Sequence, residues 1–429
     1  MSESFLHYLW QFQYFDKKDL CTTAGETIQI FNPGMRNGHA GPDFYNARVK
    51  IGDMEWVGSI EVHVNASGWF EHNHDTDQAY ENVVLHVVWK SDKSVRRTDG
   101  TLLPAIELKS RVNEKLLLNY KKLVNSPEAI PCASAWQDMR DITRISMLDK
   151  ALSYRLENKS KAVLETYARN GNDWDETCYQ MLCSNFGFKV NADPFRQLSQ
   201  SLPYKFLLKH SDKLYQIEAM LFGQAGFLDD DKSNDEYFGL LQREYKLLAQ
   251  KYQLSEKKLN RAQWRFLRLR PANFPTIRIA QLASLLHDQK NIFSKFITAS
   301  TYNDLLALFA VSQSDYWLHH YQFGDEITAE IAPFGAMSAD NVIINTVVPL
   351  LAAYGRLRDE QEYVDRAVHI LQHTPGESNA ITRQWSTLGL SARTAFDSQA
   401  CIELHNNFCL KRRCLDCNIG VALLKPVSE

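Results

Sequence analysis

The chain has 429 residues, of which 45% are hydrophobic and 23% are charged, and its formal net charge is -3. This composition excludes a disordered, collagen-like or wholly coiled-coil protein, and the length suggests two or three domains. The near-neutral charge excludes a globally basic nucleic-acid-binding surface but allows a local basic patch. Eight cysteines are too few for a disulfide scaffold. Without a long apolar run or a signal-peptide pattern, we expect a cytoplasmic protein with no membrane partner.

The first 110 residues predict a mixed sheet. The Gly52-Asp53 turn joins two strands as a hairpin. The segment 69–82 is polar with aromatic anchors, and predicts a short helix or an ordered loop. A helix is expected over 5–16, and strands are expected over 27–31, 44–51, 55–64, 83–89 and 102–108. The order of helix, three strands, crossover and further strands predicts an α/β sheet unit, not a doubly wound repeat.

The remainder of the chain is predicted to be helical. From about Val112 onward, apolar residues recur at intervals of three and four, and prolines separate the periodic segments. The predicted fold class is therefore α+β. It places a mixed α/β domain at residues 1–125 and a large all-helical region at 126–429, which ends in a cysteine cluster at 401–417.

Two acidic residues are predicted to meet at one end of the hairpin. Asp43 starts the strand 44–51, and Glu61 lies near the end of the strand 55–64. Antiparallel pairing brings these positions together, and the strand period of two puts His63 on the same face as Glu61. Two carboxylates and a nitrogen base can hold a divalent cation and activate a water. The alternative is a turn cap at Asp43 with a solvated Glu61–His63 pair.

This motif resembles that of the PD-(D/E)xK nuclease superfamily. Pro42-Asp43 is followed, after 17 residues, by Glu61-x-His63, and the order helix-β-β-β-crossover-β is that of a restriction-endonuclease-like domain. The resemblance implies phosphodiester hydrolysis in DNA or RNA, with Mg²⁺ or Mn²⁺ bound by Asp43 and Glu61. His63 replaces the lysine of the family, which suits a general base near neutral pH or marks altered chemistry.

Further candidate ligands follow in the crossover. His72-x-His74, with Asp77 close behind, forms a plausible set of metal or phosphate ligands that can reach the same site. A hydrated loop is the alternative for both histidines. His86 lies among apolar residues of the next strand and is interpreted as a core histidine.

A wider resemblance covers most of the chain. The sequence is similar to an uncharacterised bacterial family known as a domain of unknown function. The stretches that carry it are AGPDFYNARVKI, GSIEVHV, NVVLHVVW, FGQAGFL, RLRPANFPTIRIAQLA and CLDCNIG. This resemblance implies no activity.

A basic segment lies between Lys257 and Arg278, where no acid interrupts seven basic residues. Arginine binds phosphate bidentately, and the segment therefore predicts phosphate binding by Arg268, Arg270 and Arg278. Pro275 suits the first turn of a helix with Asn273 as its cap, and such a helix end attracts anions. The alternative is pairing with acids of the helical region.

The C-terminal cysteines predict a structural metal site. Cys414-x-x-Cys417 has the spacing with which two thiolates hold one zinc ion, and Cys409 is the expected third ligand. His405 is the preferred fourth ligand and Cys401 the other choice, because 401, 405 and 409 share one face of an α-helix. An iron–sulfur cluster, reduced thiols and a disulfide are the alternatives.

These observations give three functional hypotheses. The preferred one is a divalent-metal-dependent nuclease or nucleic-acid-processing protein. The second is a non-catalytic interaction protein built on a degenerate nuclease-like sheet, and the third is a metal-dependent hydrolase of a non-nucleic substrate. The sequence gives no oligomeric state.

Overall fold

The computed structural model describes residues 1–229 and 235–425. The chain forms two compact units, one made of Met1–Met147 with Leu404–Glu429 and the other of Leu148–Glu403. A mixed sheet followed by a large helical region confirms the predicted α+β fold class. The predicted boundary near residue 125 lies ahead of this division. The C-terminal segment, which the sequence placed with the helical region, belongs to the first unit.

The first unit contains one mixed sheet. Its strands are β1 (Ile28–Asn32), β2 (Met35–Arg36), β3 (Phe44–Ile51), β4 (Met54–Asn65), β5 (Val83–Lys90) and β6 (Ala105–Glu107). The order across the sheet is β1-β3-β4-β5-β6, and β2 pairs with β3. The pairs β1/β3 and β3/β4 are antiparallel, whereas β4/β5 and β5/β6 are parallel.

Six of the eight residues of β5 are buried, which explains the nearly continuous apolar run of this strand, and β4 is buried over residues 58–63. Helix α1 (Glu3–Phe12) packs against both strands, and the short helix α2 (Gly68–Glu71) packs against β4. A 3₁₀ turn, Gln78–Tyr80, completes the crossover from β4 to β5. The crossover therefore packs over the end of β4.

The C-terminal segment completes the first unit. Its last helix, Asn418–Leu424, packs against α3 (Glu114–Val124), and Ile419 and Leu424 are each 1% exposed. The guanidinium of Arg412 donates a hydrogen bond to the carbonyl of Ser126 at 2.8 Å. Shorter elements of this unit are 3₁₀ turns at Ala133–Ala135 and Cys414–Asp416 and a π-helix at Leu404–Cys409.

The second unit is helical. The helix Asp141–Arg169 begins in the first unit and continues into the second. The helices that follow are Trp174–Phe186, Ala192–Ser201, Tyr204–Leu208, Leu214–Gln224, Glu236–Tyr252, Pro275–Asp288, Ile292–Thr298, Tyr302–Leu308, Asp315–Leu318, Ala336–Val342, Val348–Arg358, Gln361–His373, Ala380–Thr387 and Ala395–Glu403. A π-helix, Ile343–Val347, links the helices Ala336–Val342 and Val348–Arg358. Three 3₁₀ turns lie at Ser255–Lys257, Arg261–Gln263 and Pro271–Asn273.

One helical stretch, Ala336–Arg358, is long and apolar enough by length and composition to cross a membrane. Of its most apolar window, 67% is buried inside the protein. A core helix of a soluble protein has this combination of composition and burial, because it is surrounded by other apolar side chains.

Candidate metal centre

Four ligand-type side chains meet beneath the crossover. Glu61 and His63 project from the same face of β4, and their side chains are only 6% and 2% exposed. His72 and His74 reach them from the residues that follow α2. The nitrogen atoms of His63, His72 and His74 that can bind a metal all lie within 4.8 Å of one another.

The distances fit one ion. His63 Nε2 lies 3.2 Å from His72 Nδ1 and 3.7 Å from Glu61 Oε1. His74 Nε2 lies 3.3 Å from the same Glu61 oxygen. Ligand bonds of about 2.0–2.1 Å in a tetrahedron place the ligand atoms about 3.3–3.4 Å apart. The three imidazoles thus converge closely enough to share one cation, and the Glu61 carboxylate lies beside two of them.

Aromatic packing and a capped turn order the crossover that carries the histidines. The ring of Tyr80 stacks on that of His74, with 3.7 Å between the ring centres, and Trp69 packs edge-on against His74. Asp77 caps the 3₁₀ turn by accepting a hydrogen bond from the Ala79 amide at 2.9 Å. The predicted ligand Asp77 therefore serves the fold of the crossover.

A buried histidine contacts the second ring nitrogen of His63. His86 is completely buried in β5, and its Nε2 lies 2.8 Å from His63 Nδ1. If His63 donates its Nδ1 proton to His86, its Nε2 lone pair is directed to the ligand cluster, which is the tautomer a metal ligand needs. His86 is the core residue that the sequence predicted, and it also contacts the His63 ring.

Burial keeps two imidazoles in the neutral form that binds metal. Desolvation, followed by the neighbouring histidines His86, His74 and His72, lowers the pKa of His63 to about 3. Burial also lowers the pKa of His74. A neutral His63 with both nitrogens engaged is suited to bind a metal, and its role as a water-activating base stays a prediction.

Asp43 and Glu61 converge as the hairpin predicted. The Asp43 amide donates to Glu61 Oε2 at 3.1 Å, and the Val62 amide donates to Asp43 Oδ2 at 3.1 Å. Burial and the negative charge of Asp43 raise the pKa of Glu61 to about 9. Two crowded carboxylates beside neutral imidazoles favour a bound cation, because a cation would stabilise the ionised form of Glu61.

His7 is a residue of this site that sequence reasoning missed. Its Nε2 lies 2.9 Å from Asp43 Oδ2, although neither of its ring nitrogens has a partner in hydrogen-bond geometry. The Asp43 side chain is 26% exposed and is therefore more open to solvent than those of Glu61 and His63. No motif surrounds His7, and only the packing of α1 on the sheet brings it to Asp43.

The three predicted phosphate-binding arginines do not form one exposed strip. Arg268 and Arg270 are exposed, but Arg278 is buried. Asn273, the expected helix cap, instead accepts a hydrogen bond from Arg278 at 2.6 Å, and the helix begins after Phe274 without a side-chain cap.

The C-terminal cysteines are buried close to a further thiol, Cys132. The negative charge of neighbouring thiolates contributes to raised pKa values of Cys132, Cys409 and Cys414, after the larger effect of burial. In the described part of the chain, no three sulfur atoms of this group lie within 4.8 Å of one another. A zinc or iron–sulfur site at Cys409, Cys414 and Cys417 stays a prediction.

The two proposed fourth ligands lie in a distorted helix. The α-helix ends at Glu403 and a π-helix, Leu404–Cys409, follows it, so the expected α-helical face is interrupted. His405 Nδ1 lies 3.0 Å from Asn406 Oδ1, and the Cys401 carbonyl accepts a hydrogen bond from Trp385. Sequence spacing could not identify Cys132, which is far from the cluster along the chain.

A protein-family model matches residues 3–380, and its description is Protein of unknown function (DUF2851). The chain therefore belongs to this family, which confirms the wider resemblance. No curated protein and no solved structure shows significant similarity to the chain. The likeness to PD-(D/E)xK nucleases thus has no support from these comparisons.

Proposed function

We propose that this protein is a metal-dependent hydrolase whose centre is formed by His63, His72 and His74, with Glu61 beside them. The observation that carries the proposal is the convergence of the three imidazoles within 4.8 Å, with the Glu61 carboxylate beside two of them. Imidazole ligands favour zinc or another transition ion, whereas Mg²⁺ prefers oxygen. The ligand set thus favours Zn²⁺ over the Mg²⁺ or Mn²⁺ that the nuclease resemblance implied.

The role proposed for each residue follows from its burial and its contacts. A cation held by the three histidines would supply Lewis acidity and lower the pKa of a bound water. Asp43, which is more exposed than Glu61 and His63, is the proposed proton acceptor, and His7 positions its carboxylate at 2.9 Å. His86 holds the His63 ring in the binding tautomer through the 2.8 Å contact.

The proposed substrate is a phosphodiester of DNA or RNA. The support is the strand order, with Asp43 and Glu61 joined across a β-hairpin that precedes a crossover to a parallel strand. Hydrolysis of a non-nucleic substrate is the second reading, since His72 and His74 are ligands that the nuclease motif lacks. The eight cysteines form no disulfide, in keeping with a proposed cytoplasmic location.

Metal content and hydrolysis measured on the same variants test this proposal. We expect one zinc per chain by elemental analysis, and its loss in His72→Ala and His74→Ala. Asp43→Asn should keep the metal but reduce hydrolysis of DNA, RNA or bis(p-nitrophenyl) phosphate by roughly 100-fold or more, as loss of a general base does. His39→Ala, an exposed histidine of the same unit, is the matched control and should change neither quantity.

Two outcomes would redirect the proposal. A protein with no metal, whose melting temperature does not respond to added zinc or to a chelator, would contradict the centre itself. A protein with bound zinc and no activity on any of the three substrates would favour the non-catalytic alternative. That alternative has its own support, because Glu61 would complete the four protein ligands of a structural site if it joined the three histidines.

The same measurement addresses the cysteine cluster. A second equivalent of zinc or iron, lost in Cys414→Ser and Cys417→Ser but kept in His72→Ala, would support the predicted structural site. Cys132→Ser compared with Cys401→Ser and His405→Ala would then identify the fourth ligand. A single equivalent that these variants leave unchanged would contradict the cysteine site.

A further inference from the structure

A cavity of about 370 Å³ lies in the second unit, beside the first turn of the helix Pro275–Asp288. This volume falls in the range of small-molecule sites. Arg278 is the one charged residue of its described lining, which otherwise consists of apolar and neutral polar side chains. Among the described residues that line the cavity, none is acidic.

Arg278 is a buried cation held by neutral groups. Its residue surface is only 7% exposed. Its terminal nitrogens donate to Gln281 Oε1 at 2.9 Å, to Asn273 Oδ1 at 2.6 Å and to Ser338 Oγ at 3.2 Å. Its Nε is buried and has no hydrogen-bond partner among the described residues.

The charge of Arg278 is retained but not neutralised. Burial lowers its pKa to about 10, so the guanidinium is still protonated at neutral pH. No carboxylate of the described chain forms an ion pair with it. A buried arginine in a protein is normally paired with an acid, because an unpaired buried charge is destabilising. An anionic ligand would supply the negative charge that Arg278 lacks.

Aromatic rings fix the plane of the guanidinium. The Arg278 guanidinium lies over the Phe188 ring, 4.6 Å from its centre, and 5.4 Å from the centre of the Phe334 ring. Phe188 adopts a left-handed backbone conformation with φ of 48°, which is unfavourable for an aromatic residue. Such strain persists where the surrounding structure requires a particular side-chain position.

We propose that this cavity binds a small organic anion whose carboxylate or phosphate head pairs with Arg278. Ser338 accepts a hydrogen bond from Arg278 and keeps its own hydroxyl proton for the ligand, and the Asn341 side chain lines the same cavity. A planar guanidinium matches the geometry of either oxyanion head.

The rest of the ligand is apolar. Leu269, Val190 and Met337 line the cavity, and Met337 is 88% exposed and Val190 40% exposed. Exposed apolar side chains at the edge of a cavity are suited to cover an apolar body. The cavity is also larger than an inorganic anion requires. A polynucleotide, in contrast, would first meet the exposed Arg268 and Arg270.

Calorimetric titration of the full chain with three matched probes tests this site. Phenyl phosphate and 3-phenylpropionate carry the two heads, and 3-phenylpropan-1-ol is the uncharged counterpart. We expect saturable binding of at least one anion at one site per chain, and binding of the alcohol weaker by roughly tenfold or more. The tighter of the two anions identifies the head group.

Two variants assign binding to Arg278. Arg278→Gln should abolish anion binding. Ser338→Asp keeps the arginine but places a carboxylate beside it, and should weaken binding by about tenfold or more while raising the melting temperature of the free protein. The double variant Arg268→Gln, Arg270→Gln is the control, and its affinity should remain within about twofold of the wild type.

Three outcomes would overturn the inference. The first is no saturable binding of either anion to the wild-type protein at millimolar concentration. The second is undiminished binding in Ser338→Asp, which tests the site even if Arg278→Gln does not fold. The third is binding of a single-stranded oligonucleotide that the control double variant abolishes, without binding of either small anion, which would assign the basic residues to nucleic acid.

Discussion

Gly68 lies so close to the His63 ring that a side chain cannot fit between them. A Cβ atom at position 68 would lie 2.8 Å from Cδ2 of His63 and 3.1 Å from its Cγ. We therefore expect Gly68→Ala to displace the imidazole and to weaken zinc binding by roughly 10- to 100-fold, the range for residues that orient ligands. Competition with a chromogenic chelator would measure this change in affinity.

The control for this variant is Gly38→Ala. Gly38 lies in the same unit, and a Cβ there would meet no atom within 4 Å. Its zinc affinity should equal that of the wild type. Unchanged affinity in Gly68→Ala would show that His63 is not a ligand.

The burial of the Glu218 carboxyl predicts that the stability of the second unit depends on pH. It is completely buried, and burial raises its pKa from 4.5 to about 7, although Tyr237 and Ser314 donate hydrogen bonds to it. Because the folded state holds the proton more tightly than the unfolded state, stability is greatest below pH 4.5 and falls as the pH rises to 7. The loss at neutral pH is roughly 3 kcal/mol.

The variant Glu218→Gln should remove this pH dependence. Denaturant unfolding at pH 5 and at pH 8 would measure it, with the exposed neighbour Glu236→Gln as the control. We expect the wild type and the control to lose stability between these pH values, and Glu218→Gln to change less. An equal loss in all three proteins would mean that Glu218 is ionised in the fold at both pH values.

At the residue scale, local rules predicted part of the site. The strand period put Glu61 and His63 on one face, and the hairpin brought Asp43 to them, because both rules depend only on neighbouring residues. The rules could not show that His63 turns its Nε2 toward His72, since that depends on His86 in another strand. His7 likewise depends on how α1 packs on the sheet.

At the scale of elements, strands were easier to predict than the crossover. The strand Phe44–Ile51 was predicted with its observed limits, because the Gly52-Asp53 turn and an alternating pattern define it. The crossover contains only seven residues in helical turns and depends on tertiary packing of Trp69 and Tyr80. Its pattern therefore left a helix and a loop equally open, although its histidines were identified.

The basic segment shows a different limit of sequence patterns. Its arginines were predicted to share one surface, but irregular backbone separates them, and Arg268 itself has a left-handed φ of 64°. Arg278 lies in the first turns of a regular helix whose side chains are almost all buried. Charge alone does not reveal burial, because a buried arginine needs only neutral acceptors and aromatic faces around it.

For the whole molecule, the order of the chain differs from the order of the units. The first unit is closed by residues from the C-terminus, and the second unit is a continuous insertion within it. Asp416 forms an ion pair with Arg36 at 3.7 Å, and the Asn418 amide approaches the Met147 sulfur at 3.2 Å. Periodicity cannot predict such long-range closure, because it describes only local structure.

This closure predicts how fragments of the protein will fold. A fragment of residues 1–147 lacks the helix Asn418–Leu424, whose Ile419 and Leu424 side chains are buried in the whole chain. Each such side chain contributes about 1.5–3 kcal/mol when buried. That sum is a large share of the 5–15 kcal/mol that stabilises a typical domain. We therefore expect the fragment to melt cooperatively only when a peptide of residues 404–425 is added, whereas a fragment of residues 141–403 should fold alone.

Circular dichroism melting of the fragments would measure this dependence, and zinc binding would report whether the metal centre has formed. The matched control is the same peptide with Ile419→Asp, which removes one buried contact and should not restore folding. Cooperative melting of residues 1–147 without peptide, with zinc bound at the affinity of the whole chain, would contradict the role of the C-terminal segment. Restoration of both properties by the native peptide alone would show that the metal centre depends on residues from both ends of the chain.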